Sequence, residues 1–186
     1  PSGDLFQECL KAAKIVGREF PHLRTVDPNA SGDPWKSEGD IPSEAFGLVD
    51  LTREAASQGV VLSMENSGQS IRSMQILVDA IRSRLTSNEA SYLGLCPDPT
   101  NQLRRFPDSD PLTELAALPL DMIKIVHFKQ AREGEAYHSV DSGDLDCRKM
   151  LGILEEKGYS GAAIMEIPSH EDVFDNLSYS FNFLKS

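Results

Sequence analysis

Apolar positions along this chain switch again and again between a helical spacing and short unbroken runs. Residues 4–19 (DLFQECLKAAKIVGRE) place Leu5, Phe6, Cys9, Leu10 and Ala13 at helical intervals. A short strand is predicted over 22–27, and the Pro-, Gly- and Ser-rich stretch 28–41 reads as a loop. Pro42-Ser43-Glu44 opens a helix to about Ser57, which Gly59 stops. Apolar, β-branched residues 60–64 form a strand ending in Glu65, followed by a helix over about 70–85. The next strand, 92–96, ends in Pro97-Asp98, and a short helix over 111–118 leads to a strand over 122–126 that ends in His127. A loop over 129–144 precedes a helix over 145–157 closed by Gly158. The last strand, 162–165, ends in Glu166, and a helix over 171–184 finishes the chain.

Five strands, each followed directly or after a loop by a helix, imply parallel strands joined by right-handed crossovers. Their apolar runs are nearly continuous, as expected where both sheet faces are covered. An open doubly wound sheet and a (β/α)8 barrel both fit. No GxGxxG or Walker-type loop follows any strand, which weakens the nucleotide-binding version.

Composition narrows the partners. A formal net charge of -11 argues against a nucleic-acid partner, because binding a phosphate backbone needs clustered Lys and Arg. It suits a small polar or cation-assisted substrate. No apolar run is long enough to span a membrane, and no signal peptide opens the chain. Cys9, Cys96 and Cys147 are odd in number and widely spaced, which reads as reduced thiols and a cytoplasmic location. Pro1 in place of Met points to a processed or truncated start.

Four potential metal ligands close four consecutive strands: Glu65, Asp98, His127 and Glu166. Their separations of 33, 29 and 39 residues are each about one β-loop-α unit, which puts all four at the carboxyl end of a parallel sheet. A single carboxylate after a strand is usually only a helix N-cap or a surface charge. Four in register are harder to dismiss, because three carboxylates and an imidazole at one point repel unless a divalent cation neutralises them. That ligand mix suits one Mn²⁺, Mg²⁺, Co²⁺ or Zn²⁺ ion. Met64, Met122 and Met165 are assigned to strands and to the core.

Read together, these segments resemble the sugar phosphate isomerase/epimerase family, the xylose isomerase-like TIM barrels. VVLSMENSG is similar to the motif at that family's fifth strand, LGLCPDPTN to the sixth, VHFKQ to the seventh, and SGDLD with KGYSGAAIMEI to the eighth. HLRTVDP resembles the weaker fourth-strand motif. The resemblance implies that residues 1–186 are the C-terminal part of one (β/α)8 barrel, with about five β/α units present and the first three strands missing. The missing portion would be an absent N-terminal segment or be supplied by another chain, a homo-oligomer included. It also implies Glu65, Asp98, His127 and Glu166 as ligands of a single divalent cation.

On that resemblance the protein is a metal-dependent isomerase or epimerase of a sugar, sugar phosphate or related hydroxy-ketone. Glu65 and Glu166 would move a proton through an enediolate on the two faces of a carbohydrate substrate. Asn101, Lys129, Arg132 and His138 are the substrate-binding candidates, and Trp35 either caps a sugar ring or packs beneath its loop. Gln130 stands where relatives often carry Asp, which puts outer support of the site in question. His22 and His170 read as surface residues. The alternatives are an inosose-type dehydratase and a non-catalytic sugar-binding barrel. An endonuclease IV-like hydrolase fits less well, since it needs a histidine where Asn101 stands and Asp-x-His where Ala136-Tyr137-His138 stands.

Overall fold

The computed structural model describes residues 3–28 and 32–186; part of the 28–41 loop thus lies outside the described residues. Strands β1 (His22–Val26), β2 (Val61–Glu65) and β3 (Leu93–Cys96) pair in parallel in that order, and β4 (Ile125–Phe128) pairs in parallel with β7 (Ala162–Met165). The two groups meet along a seam, where Lys124 N donates to Leu95 O (2.9 Å) and His127 N to Pro97 O (3.1 Å). The result is an arc of five parallel strands, part of a barrel wall. Strands β1 and β7 lie at its two ends, and Val26 and Ile164 are 47% and 45% exposed there.

Side-chain alternation along the strands separates two chemistries. Leu62, Met64, Leu93, Leu95, Val126 and Phe128 face outward into the hydrophobic core. There they meet helices α1 (Gly3–Gly17), α2 (Leu48–Ser57), α3 (Ile71–Arg82), α6 (Pro111–Ala117) and α7 (Cys147–Glu156), while α8 (Val173–Lys185) packs on α7. Fully buried side chains such as Leu77, Ile81, Leu93 and Leu115 each contribute about 1.5–3 kcal/mol. The intervening residues, His22, Arg24, Ser63, Glu65, Cys96 and His127, share the inner face with polar and titratable groups.

Several elements depart from the sequence expectation. The helix predicted from Pro42 begins as a 3-10 turn, Ser43–Gly47, and becomes an α-helix only at Leu48, because Gly47 is a poor helix former. Short helices α4 (Ser87–Ala90) and α5 (Pro99–Arg105) were not anticipated. Met122 is buried, but in a 3-10 turn rather than a strand. The 129–144 segment is more than a loop: β5 (Gln130–Arg132) and β6 (Glu135–Tyr137) form an antiparallel hairpin. Its two-residue turn, Glu133-Gly134, has positive φ at both positions (52° and 80°), the geometry that matches strand twist. The Asp144 carboxylate accepts from both turn amides, at 3.0 and 2.9 Å. Trp35 is 5% exposed and packs into the core, the second of its two expected placements.

Candidate metal centre

Each of the four strand-end residues is placed by its own local device. Glu65 is the last residue of β2, and Glu166 follows β7 directly, with its N–H donating to Phe128 O at 2.9 Å. His127 lies inside β4 on the inner face. Asp98 lies two residues past β3, where Asn66 clamps its backbone: Asn66 Nδ2 donates to Asp98 O (2.9 Å) and Asp98 N to Asn66 Oδ1 (2.8 Å). Asp98 is also the N-cap of α5, accepting from Asn101 N through Oδ1 at 2.9 Å. The ordinary capping role and the site role therefore coexist on one side chain, because Oδ2 remains for the site.

One ligand atom from each of Glu65, Asp98, His127 and Glu166 lies within 4.8 Å of the others. His127 Nδ1 is 3.3 Å from Glu65 Oε1, 3.7 Å from Asp98 Oδ2 and 3.2 Å from Glu166 Oε2. Glu65, Asp98 and His127 are 3%, 0% and 3% exposed, whereas Glu166 is 42% exposed. Glu65 Oε2, Asp98 Oδ2, His127 Nδ1 and Glu166 Oε2 are buried atoms outside the hydrogen bonds of the site, and beyond His127 the three carboxylate oxygens have only ion-pair contacts with Arg24 and Lys129. Buried polar atoms are rarely left this way. Four of them facing one point is the arrangement expected of residues that coordinate a cation, and the oxygen-and-imidazole set fits a divalent one.

Two cations of the protein's own lean on this cluster. Lys129 Nζ lies 2.6 Å from Glu166 Oε2 and 3.3 Å from Asp98 Oδ2, and the Arg24 guanidinium pairs with Glu65 Oε2. Burial opposes the charged form of His127, but the Asp98 carboxylate and the Cys96 thiol beside it outweigh burial and raise its pKa to about 9. His22, expected at the surface, is instead half-buried and hydrogen-bonded to Ser63 Oγ at 2.8 Å. Burial above all, then the charges of Arg24 and His127, push its pKa down to about 4.

Among the substrate-binding candidates the structure divides sharply. Asn101 donates to Glu65 Oε1 (3.0 Å) and accepts from Lys129 Nζ (3.2 Å), so both residues join the cluster. Arg132 instead donates to Ser142 O (3.0 Å) and stacks on Tyr137, within its own hairpin. His138 packs tilted against Tyr137, with ring centroids 4.2 Å apart, and lies 6.4 Å, ring to ring, from His170. His170 is exposed as expected and forms a solvent-facing group with Glu171 and Asp172. Gln130 is fully engaged in joining β5 to the loop ahead of α7. Its Oε1 accepts from Leu145 N (3.0 Å) and its Nε2 donates to Leu145 O (2.8 Å). Arg24 and Asn66 were missed by sequence reasoning. The only signal for Arg24 was a charged residue inside a short strand.

A family model described as xylose isomerase-like TIM barrel matches residues 2–186. The chain belongs to that family. Its fold is the xylose isomerase-like barrel, present here in part. A xylose isomerase domain protein from Planctomyces limnophilus is 18% identical, with a TM-score of 0.70 over 97% of this chain and 63% of that one. The IolI protein, solved with a zinc atom bound, is 17% identical, with a TM-score of 0.67 over 98% of this chain and 66% of that one. An L-ribulose 3-epimerase gives 17% identity and a TM-score of 0.60 over 95% of this chain and 58% of that one. The chain thus spans about two thirds of the length of the first of these xylose isomerase-like structures. Among curated proteins, none matches it. Among the described residues, no helix is long and apolar enough to cross a membrane.

Proposed function

We propose that this chain carries the metal-binding half of a sugar isomerase or epimerase that works by proton transfer next to a carbonyl. The observation that supports it best is the convergence of one ligand atom each from Glu65, Asp98, His127 and Glu166, all within 4.8 Å of one another, at the carboxyl end of the strands. These four residues would hold one divalent ion; Mn²⁺, Mg²⁺, Co²⁺ and Zn²⁺ all suit the ligand set. When bound, the ion supplies Lewis acidity to a substrate carbonyl, which makes the neighbouring C–H acidic.

The remaining work belongs to the side chains. Each glutamate has two oxygens, so one can serve the cation while the other takes or returns a proton. The two are unequal: Glu65 is 3% exposed and Glu166 is 42% exposed. A proton held on Glu166 therefore exchanges with water far sooner than one on Glu65. Asn101, hydrogen-bonded to both Glu65 and Lys129, fixes the Glu65 carboxylate and offers its amide to a substrate hydroxyl. Lys129 stands beside Asp98 and Glu166, where it would meet negative charge developing on substrate oxygen. The substrate this chemistry fits is a small carbohydrate.

Two measurements on the intact protein test the proposal together. Mn²⁺ titration should give about one equivalent bound, with Glu166→Gln weakening it by an order of magnitude or more. NMR of ketoses incubated with the Mn²⁺-loaded protein in D₂O should show deuterium entering the carbon next to the carbonyl, and Glu166→Gln should abolish it. Absence of metal uptake would end the reading; metal uptake without exchange across a broad panel would leave a binding barrel in its place.

A further inference from the structure

The amino end of the strands, opposite the candidate metal centre, holds a cavity of about 250 Å³. Segments that lead into three strands build it: Phe20 ahead of β1, Leu120, Ile123 and Lys124 ahead of β4, and Tyr159 and Gly161 ahead of β7. Among its described lining residues Lys124 alone carries a charge. The lysine is laid into place by its neighbours. Its N–H donates to Leu95 O at 2.9 Å, which fixes the backbone beside β3. Its side chain then crosses Gly94, where a Cβ would come within 2.5 Å of Lys124 Cγ and 2.8 Å of Cε. Glycine at that position leaves the track of the lysine chain open.

No carboxylate among the described residues pairs with the Lys124 ammonium. Asp121, the acid that acts on it, is taken by Arg82, whose Nη1 donates to Asp121 Oδ2 at 2.8 Å. Arg82 is itself held in place, since its Nε and Nη2 donate to Leu93 O at 3.0 and 2.8 Å. Burial first, and then the Arg82 guanidinium, lower the pKa of Lys124, while Asp121 opposes them more weakly. An amine that is desolvated beside a second cation keeps more of its neutral, nucleophilic form than a solvated lysine does. Other lysines stand differently: Lys129 is held by Asp98 and Glu166, and Lys157 Nζ donates to Ala116 O at 2.7 Å. The cavity is below the roughly 300–1,000 Å³ of a pocket for a drug-sized ligand, so its occupant is small. Walls of Phe20, Leu120, Ile123 and Tyr159 favour an alkyl or aryl chain over a polyol.

We propose that Lys124 is a covalent binding site for a small apolar aldehyde, held as an imine in the cavity between Phe20 and Tyr159. The neutral Nζ attacks the aldehyde carbon and forms the C–N bond. The carbonyl oxygen leaves as water, taking both protons of the amine, and a C=N bond remains. Nothing is oxidised or reduced, and water reverses the step. The site stands apart from the candidate metal centre and does not depend on the isomerase reading.

Butanal is the probe, given to the full chain at neutral pH with sodium cyanoborohydride, which reduces an imine to a stable secondary amine. Peptide mass spectrometry then reads the alkylation rate at each lysine. Lys124 is expected to react about fivefold or more faster than the exposed Lys11, Lys14 and Lys149, with a rate that saturates as butanal rises where theirs stay linear. Phe20→Ser, at a wall residue 45% exposed, should bring Lys124 down to the rate of those surface lysines and leave theirs unchanged. Leu120→Ser, at a wall residue 43% exposed, gives the same readout should Phe20→Ser fail to fold. Lys124 reacting no faster than Lys11 and Lys14, or equally fast in wild type and both wall variants, would overturn the site. Glyceraldehyde, a small polyol aldehyde, should show a weaker preference for Lys124; an equal preference would overturn the apolar class of ligand.

Discussion

Gly94 is the position where a single methyl group should reach from packing to the site. A Cβ built there would lie 2.4 Å from Met122 O and 2.5 Å from Lys124 Cγ. The lysine chain can move aside, but the Met122 carbonyl belongs to the backbone leading into β4. Relief therefore requires β4 to move by about 1 Å away from β3, against the Lys124–Leu95 and His127–Pro97 hydrogen bonds of the seam. Overpacking of this kind costs about 1–3 kcal/mol. Weakening one or two seam hydrogen bonds adds about 1 kcal/mol. The expected loss for Gly94→Ala is about 2–4 kcal/mol, or on the order of 5–15 °C in the unfolding midpoint for a chain of this size. The same movement carries His127 away from Asp98, so Mn²⁺ affinity should fall by about tenfold or more. Urea unfolding and Mn²⁺ calorimetry on the same preparation measure both. Gly152→Ala in α7 is the control: no heavy atom lies within 4 Å of its Cβ position, so it should stabilise by about 0.5–1 kcal/mol. A Gly94→Ala cost under about 0.5 kcal/mol would refute the tight seam. A large cost with unchanged Mn²⁺ affinity would refute its control of the ligand spacing.

Other expectations follow from single contacts. Lys129→Met removes a cation from beside Asp98 and Glu166, so Mn²⁺ affinity, read by competition with a chelating dye, should rise; screened Coulomb repulsion of about 1–3 kcal/mol sets the scale. Asn66→Ala breaks two buried hydrogen bonds to the Asp98 backbone and should cost about 2–3 kcal/mol in denaturant unfolding. His22 has a pKa of about 4 in the fold, below its ordinary value of about 6.5, so the unfolded chain binds the proton more readily. Its contribution is complete above about pH 6.5 and is lost as pH falls toward 4. His22→Gln should therefore flatten the decline in unfolding free energy between pH 6.5 and 4.5, by between about 1 and 3 kcal/mol given its partial exposure.

What the sequence revealed, and what it hid, follows from interaction range. Glu65, Asp98, His127 and Glu166 were legible because each sits at or beside the end of an apolar run, and successive runs recur at about one β/α unit. The α5 helix was readable in principle from Asp98-Pro99 as cap and first position with Arg104-Arg105 in its last turn. Its seven residues are too few to show an apolar period. The hairpin was hidden because Gln130–Arg132 and Glu135–Tyr137 are three residues each and mostly polar, and its turn depends on Asp144 ten residues away. His22 read as a surface residue, and nothing in the sequence singled out Arg24. Their partners, Glu65 and Ser63, lie on a neighbouring strand about forty residues on, and only the parallel register of β1 with β2 reveals the pairing. Arg132 and His138 were local in sequence to the site but are consumed by Ser142 and Tyr137.

The charges around the centre bear on why a strongly acidic chain should gather arginine and lysine at one end. Three carboxylates stand against Lys129, Arg24 and a His127 whose raised pKa keeps it protonated, so the cluster is close to neutral by itself. That balance lets buried carboxylates fold into contact without the repulsion that would otherwise separate them. If the cluster holds a divalent ion as proposed, neutral imidazole would be the ligand form, so binding would displace the His127 proton and leave about one positive charge in excess. On the proposed reading that surplus would suit a proton abstraction, since negative charge developing on substrate oxygen would meet a counter-charge already fixed in the site. Arg24 and Lys129 thus balance the carboxylates in the fold itself, and with a cation bound they would tilt the site toward an anion.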